Sequence, residues 1–147
     1  MNKPYLPELS KLLKTKLPLK IRECYEMDYS SNKLSANQAF KELLKYFWIT
    51  TKLKIDKPNA KFQIYIQTEM KEIDDLWHTY LLFTEDYQKF CMKNFKKFIH
   101  HKPTTNNEKK KSKQNTDQFL KNTESALSYV YDHLGENTLK VWFSEYF

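Results

Sequence analysis

An aspartate and a histidine stand one helical turn apart near the middle of the chain. Asp74 and His78 lie in the run IDDLWHTYLLF, and the pair His100 and His101 closes the same stretch, residues 73–103. Residues i and i+4 of a helix project from one face, so the carboxylate and the imidazole can reach each other or a shared ligand. Carboxylate and imidazole groups serve as metal ligands, acid–base catalysts and network partners. This stretch is therefore the candidate functional site of the chain.

Helical phasing places Asp74 on the apolar face of its helix, between the directions of Leu81 and His78. A buried carboxylate is costly unless it is paired or metal-bound. Three interpretations remain open. A divalent ion, Zn²⁺ or Fe²⁺, could be bound by Asp74, His78 and His101 with a coordination position left free. The same residues could form a purely structural network, or His78 could act as a general base that Asp74 orients, without a metal.

The neighbours of these residues complete the predicted site. His101 is the better partner than His100, because a helix continued through this segment places His101 on the side of Phe98 and His100 away from it. Two residues are secondary ligand candidates: His100 and Cys91. Three aromatic residues are expected to line the site: Trp77, Tyr80 and Tyr87.

The elements that position the site are predicted to be helices. With Gly135 as its single glycine, the chain cannot contain a glycine-rich phosphate loop. Apolar residues recur at helical spacing after residue 7, over residues 19–28, 35–54, 68–82, 84–100 and 116–134, and again from residue 138. Ser35 and Gln38 have the form of a capping box, and three threonines are predicted to cap later helices: Thr68, Thr84 and Thr116. Gly135 stands where a left-handed C-cap is expected.

These elements predict one all-α domain over residues 1–147 with about five to seven helices. The alternation in residues 62–67, FQIYIQ, allows one short β ribbon. The absence of an N-terminal apolar segment and of any apolar run long enough to span a membrane predicts a cytoplasmic protein that does not enter membranes. The two cysteines, with no CxxC spacing, are expected to be free thiols.

The charge is uneven along the chain. The 25 basic and 18 acidic residues give a net charge of +7. Residues 102–115 are polar, lack periodicity and are interpreted as a mobile basic loop within the domain. Four lysines in this loop could contact an acidic protein or a nucleic acid: Lys109, Lys110, Lys111 and Lys113.

The order of motifs in residues 73–103 also resembles a known family. DDLWH is followed by Leu-Leu-x-Thr, then by a tyrosine and a cysteine four residues apart, then by FIHH-x-P. This pattern is similar to the glycine-rich domain-containing protein-like family. The resemblance implies six hallmark positions: Asp74, Trp77, His78, Tyr87, Cys91 and His101. It supports the site but implies no established reaction.

The leading hypothesis is a small intracellular helical domain with a buried Asp/His site for a divalent metal. One alternative is a protein- or nucleic-acid-interaction module in which the Asp/His network is only structural. A second alternative is a metal-dependent enzyme that uses the same residues.

Overall fold

The computed structural model describes residues 4–102 and 116–146, apart from the side chains at positions 116 and 145. These residues form seven α-helices: α1 (Leu9–Leu12), α2 (Leu19–Asp28), α3 (Ala36–Asp56), α4 (Lys71–Leu82), α5 (Thr84–Phe95), α6 (Thr116–Leu134) and α7 (Glu136–Trp142). Short 3₁₀ turns occur at Thr68–Met70 and Ser144–Tyr146. Within the described ranges there is no strand, which confirms the all-α prediction.

The longest helix, α3, is the element on which the others pack. Its Ser35 hydroxyl accepts a hydrogen bond from the Gln38 amide, and the Gln38 side chain accepts one from the Ser35 amide, so the predicted capping box is present. Helices α1, α2, α4 and α6 all contact α3. The interface with α4 and α5 is largely aromatic, since Phe47 packs against Trp77 and Phe90 at centroid distances of 5.0 and 6.0 Å.

The loop between α2 and α3 is tied to α4 by polar contacts. Asn32 Nδ2 donates to Asp75 Oδ2 at 3.1 Å, and Lys71 Nζ lies 3.0 Å from the same oxygen. The Glu72 carboxylate accepts a hydrogen bond from the Leu34 amide at 2.7 Å. These contacts fix α4, the helix that carries Asp74 and His78, against the N-terminal part of the fold.

Residues 62–67 do not form the predicted ribbon. Ile64 is buried, and its carbonyl accepts a hydrogen bond from the Tyr46 hydroxyl at 2.8 Å, so a side chain of α3 takes the place of a strand partner. The apolar and polar residues alternate because one side of this extended segment packs on the core. The segment is an extended approach to the next helix.

Three local predictions need correction. Thr68 lies in the 3₁₀ turn before α4, and neither α4 nor α5 has a side-chain N-cap, so Thr68 and Thr84 do not cap them. Helix α5 ends at Phe95 rather than near residue 100, because Lys96 adopts a left-handed conformation with φ of 59°. Gly135 has the expected positive φ, but its ψ of 174° is extended rather than left-handed helical.

The predicted basic loop at residues 102–115 falls outside the described residues except for Lys102, so its four lysines stay a prediction. Among the helices that the structure describes, none combines the length and the apolar character that a membrane crossing needs.

We expect Gly135→Ala to lower the free energy of unfolding by about 1–3 kcal/mol, because its backbone conformation is one that residues with a Cβ rarely adopt. A Cβ at this position would have no heavy atom within 4 Å, so the cost comes from the backbone rather than from a clash. Urea unfolding measures the effect. The control is Asn137→Ala, an exposed position in the next helix; equal stability of the two variants would contradict the expectation.

Candidate functional site

Asp74, His78 and His101 lie together in the structure. Asp74 Oδ1 is 2.7 Å from His101 Nε2, and Asp74 Oδ2 is 3.6 Å from His78 Nε2. The two imidazole rings are 4.6 Å apart between centroids. One ligand atom from each residue falls within 4.8 Å of the other two, close enough to hold one metal ion. We call these three residues the Asp/His cluster.

The cluster lies at the surface, not in the core as predicted. The side chains of Asp74, His78 and His101 are 24%, 50% and 18% exposed. Phasing α4 placed Asp74 among apolar residues, but the helix turns Asp74 toward the edge of its packed face. The carboxylate that α4 does bury is the adjacent Asp75, 6% exposed. A bound ion would therefore have open positions that face solvent.

His101 reaches the cluster from a non-helical segment. After α5 the chain bends at the left-handed residue Lys96, and residues 98–101 run without helix or strand. The prediction that His101 is the partner was based on continuing α5 through the segment, and that reason is wrong. The segment is held by α5 in a different way.

Two side chains of α5 fasten the backbone at Ile99. The Tyr87 hydroxyl donates to the Ile99 carbonyl at 2.5 Å, and the backbone of Ile99 interacts with the Cys91 thiol, which lowers the pKa of that thiol. Because Tyr87 and Cys91 are four residues apart, both side chains leave the same face of α5. Together they hold the backbone of one residue, which fixes the chain two residues before His101.

Trp77 joins this anchor to the cluster. Its indole nitrogen donates to the Tyr87 hydroxyl at 3.0 Å, and its ring contacts the His101 ring at a centroid distance of 4.2 Å. Trp77 also packs on Phe47 of α3, so it connects the core to the imidazole. Trp77, Tyr87 and Cys91 are positioning residues, since they act on His101 through packing and through the backbone.

The remaining candidates lie elsewhere. Tyr80, predicted to line the site, is buried in the core against Phe40 and Phe90. His100 is exposed and contacts Phe98, outside the group that could share a metal ion. Burial raises the pKa of the Cys91 thiol, and interactions with the Ile99 backbone and the Tyr87 hydroxyl offset part of that increase. Cys91 thus contributes a neutral side chain to the core.

Sequence reasoning missed Asp75. This residue accepts hydrogen bonds from Asn32 and Lys71 and is the acidic residue with the least exposure on α4. The signal available was Lys71 four residues before it, a spacing typical of an ion pair on one helix face. The contact with Asn32 spans 43 positions of the chain and has no local signature.

The interatomic distances allow two chemical states. A zinc ion with bonds of about 2.0–2.1 Å in a tetrahedron holds its ligand atoms about 3.3 Å apart. The distances of 2.7 and 3.6 Å from the two Asp74 oxygens lie on either side of that value. The shorter distance is that of a charge-assisted hydrogen bond. Binding an ion would replace this hydrogen bond and would bring ligand atoms that now lie within 4.8 Å of one another closer by up to about 1.5 Å.

The fold and the cluster together define an all-α domain with a surface carboxylate–imidazole site. The chain belongs to the UCP032817-like family, whose sequence profile matches residues 11–126 and so includes the whole cluster. The resemblance to the glycine-rich domain-containing protein-like family is therefore wrong. No curated protein and no solved structure matches the chain significantly.

Tyr87→Phe should lower the free energy of unfolding by about 1–3 kcal/mol, because it leaves the buried Trp77 N–H and the Ile99 carbonyl without their partner. Chemical denaturation followed by tryptophan fluorescence measures the effect. Tyr131→Phe, at a side chain that is 53% exposed, is the matched control and should change stability by less than about 0.5 kcal/mol. Wild-type stability in Tyr87→Phe would show that the hydroxyl does not anchor the segment.

Cys91 should resist alkylation in the folded protein, because it is fully buried and its pKa is raised. Cys24 is partly exposed, so it should react, more slowly than a free thiol because burial and the nearby Asp28 raise its pKa. Intact mass after iodoacetamide treatment at neutral pH should show one adduct in the native protein and a second after denaturation. Native labelling of Cys91 would contradict the buried anchor.

Proposed function

We propose that the Asp/His cluster binds one divalent transition-metal ion, with Asp74, His78 and His101 as its ligands. The observation that carries the proposal is the convergence of both Asp74 oxygens on two imidazole nitrogens from separate parts of the chain. Two imidazoles and one carboxylate are a donor set suited to Zn²⁺ and to Fe²⁺.

Three protein ligands would leave coordination positions open. A tetrahedral zinc ion would keep one position for water or substrate, and a six-coordinate iron ion would keep three. His78 is half exposed, so these positions would be accessible from solvent. The chemistry within reach is Lewis-acid activation of a bound water or polarisation of a bound oxygen atom. This supports a metal-dependent enzyme over a closed structural metal site.

A structural network is the competing function of the same residues. The 2.7 Å contact between His101 Nε2 and Asp74 Oδ1 has the length of a hydrogen bond and would join α4 to residues 98–101 without any metal. The two proposals differ in what Asp74→Asn does. An asparagine can still accept a hydrogen bond, but it is a poor ligand compared with a carboxylate.

The test is elemental analysis of the full chain, purified without a His-tag or chelator and then loaded with Zn²⁺ or with Fe²⁺ under anaerobic conditions. We expect one ion per chain in the wild type. Asp74→Asn, His78→Ala and His101→Ala should each weaken binding at least about tenfold, the smallest effect usual even for residues outside the ligand shell. His100→Ala is the matched control and should bind metal like the wild type.

Two outcomes would contradict the metal site. The wild type could bind no metal at micromolar concentrations, or His100→Ala could lose as much metal as His101→Ala. If no metal binds and His101→Ala only lowers the unfolding free energy, the structural network is the function of the cluster.

A further inference from the structure

A second feature of the fold is an open cavity between the α1–α2 region and the N-terminal half of α3. Its volume is about 370 Å³, within the range of about 300–1,000 Å³ that is usual for small-molecule sites. Lys16, Arg22 and Lys41 line it, and none of the described lining residues is acidic. None of the residues of the Asp/His cluster lines this cavity, which we call the basic cavity.

The three cations are not neutralised by the described part of the protein. Ion pairs elsewhere occupy neighbouring lysines, as in Lys20 with Asp86 and Lys45 with Glu42. No ion pair among the described residues involves Lys16, Arg22 or Lys41. Like charges collected around one concave surface create a positive potential that attracts anions.

Arg22 carries the more specific signal. Its Nε atom is buried and has no hydrogen-bond partner among the described atoms. A buried donor without a partner costs free energy, and a planar guanidinium group matches a carboxylate or phosphate oxygen pair. Asn37, in the first turn of α3, and Thr15 add neutral polar groups to the same lining. The N-terminal end of a long helix adds a partial positive charge.

The rest of the lining is apolar. Leu13 and Leu17, both partly exposed, contribute from the α1–α2 side, and the buried residues Phe40 and Leu44 of α3 form the base. A bare inorganic ion would leave the exposed parts of Leu13 and Leu17 in contact with water. A ligand with a charged head and a short hydrocarbon portion would meet both kinds of surface.

We propose that the basic cavity binds a small organic anion, a carboxylate or a phosphate monoester with an apolar tail, and that Arg22 holds its charged head. This site is separate from the proposed metal centre and does not depend on it. Lys16 and Lys41 add long-range attraction at the rim, since both are exposed.

The test is isothermal titration calorimetry of the full chain with octanoate and with octyl phosphate. Octanol has the tail without the charge, and acetate and inorganic phosphate have the charge without the tail. We expect both amphiphilic anions, or one of them, to bind at least about tenfold more tightly than the three control compounds. Binding of one anion only would identify the head group as carboxylate or as phosphate.

The variants Arg22→Gln and Lys16→Gln should weaken binding, Arg22→Gln by about tenfold or more, because a charge-assisted hydrogen bond is lost. Lys14→Gln is the matched control, since it removes the same charge two residues from Lys16 at an exposed position outside the lining. A circular dichroism melt establishes that each variant is folded, and Lys16→Gln at the rim keeps the test informative if Arg22→Gln unfolds.

The titrations are repeated in Asp74→Asn protein, because a carboxylate or phosphate could otherwise bind an ion at the Asp/His cluster. Unchanged affinity there separates this proposal from the metal centre. The proposal is overturned if neither anion binds, if octanol binds as tightly as octanoate, or if Lys14→Gln weakens binding as much as Arg22→Gln.

Discussion

The hydroxyl group of Tyr87 is the contact on which the geometry of the Asp/His cluster depends. It accepts a hydrogen bond from Trp77 and donates one to the Ile99 carbonyl, so a single oxygen connects α4, α5 and the segment that carries His101. The Trp77 indole N–H and the Tyr87 hydroxyl are both buried. A buried donor or acceptor without a partner costs more free energy than a hydrogen bond contributes to stability. The hydroxyl therefore specifies the position of the segment more than it adds to stability.

The core extends this constraint to the rest of the protein. Trp77 packs edge-on against Phe47 of α3 and contacts His101 as well. A shift of α4 against α3 would move the indole ring, and with it both its hydrogen bond to Tyr87 and its contact with the imidazole. Aromatic cores are packed as densely as organic crystals, so such shifts are resisted. The cluster is held on the rigid part of the fold although it lies at the surface.

The sequence predicted the helices better than the connections between them. Apolar periodicity and the Ser35–Gln38 capping box are local signals, and both α2 and α3 were located by them. The cluster residues were also found, because Asp74 and His78 are one helical turn apart. The prediction that Asp74 is buried was wrong, and the buried carboxylate is that of the next residue, Asp75. Asp75 is paired with Asn32 from a distant loop, and no local sequence pattern indicates such a contact.

The path of the chain after α5 could not be predicted for a similar reason. Lys96 takes a left-handed conformation that glycine would favour, so the sequence offered no stop signal there. The four-residue spacing of Tyr87 and Cys91 is evident in the sequence. That both side chains contact the backbone of Ile99 could not be predicted, because it depends on the path of the chain after α5. The basic cavity was invisible as well, because its cations come from separate parts of the sequence that only the fold brings together.

The Asp/His contact contributes little to stability compared with the contacts that position it. A carboxylate–imidazole contact with partly exposed groups is screened by water and adds at most about 1 kcal/mol to stability. The anchor beneath it involves Trp77, Tyr87, Cys91 and the backbone of Ile99, all held in or against the core. Such an extensive set of contacts would gain little further stability if it served only to form one surface ion pair. Precise placement of side chains is what such an anchor supplies, and this is the property that the proposed metal site requires.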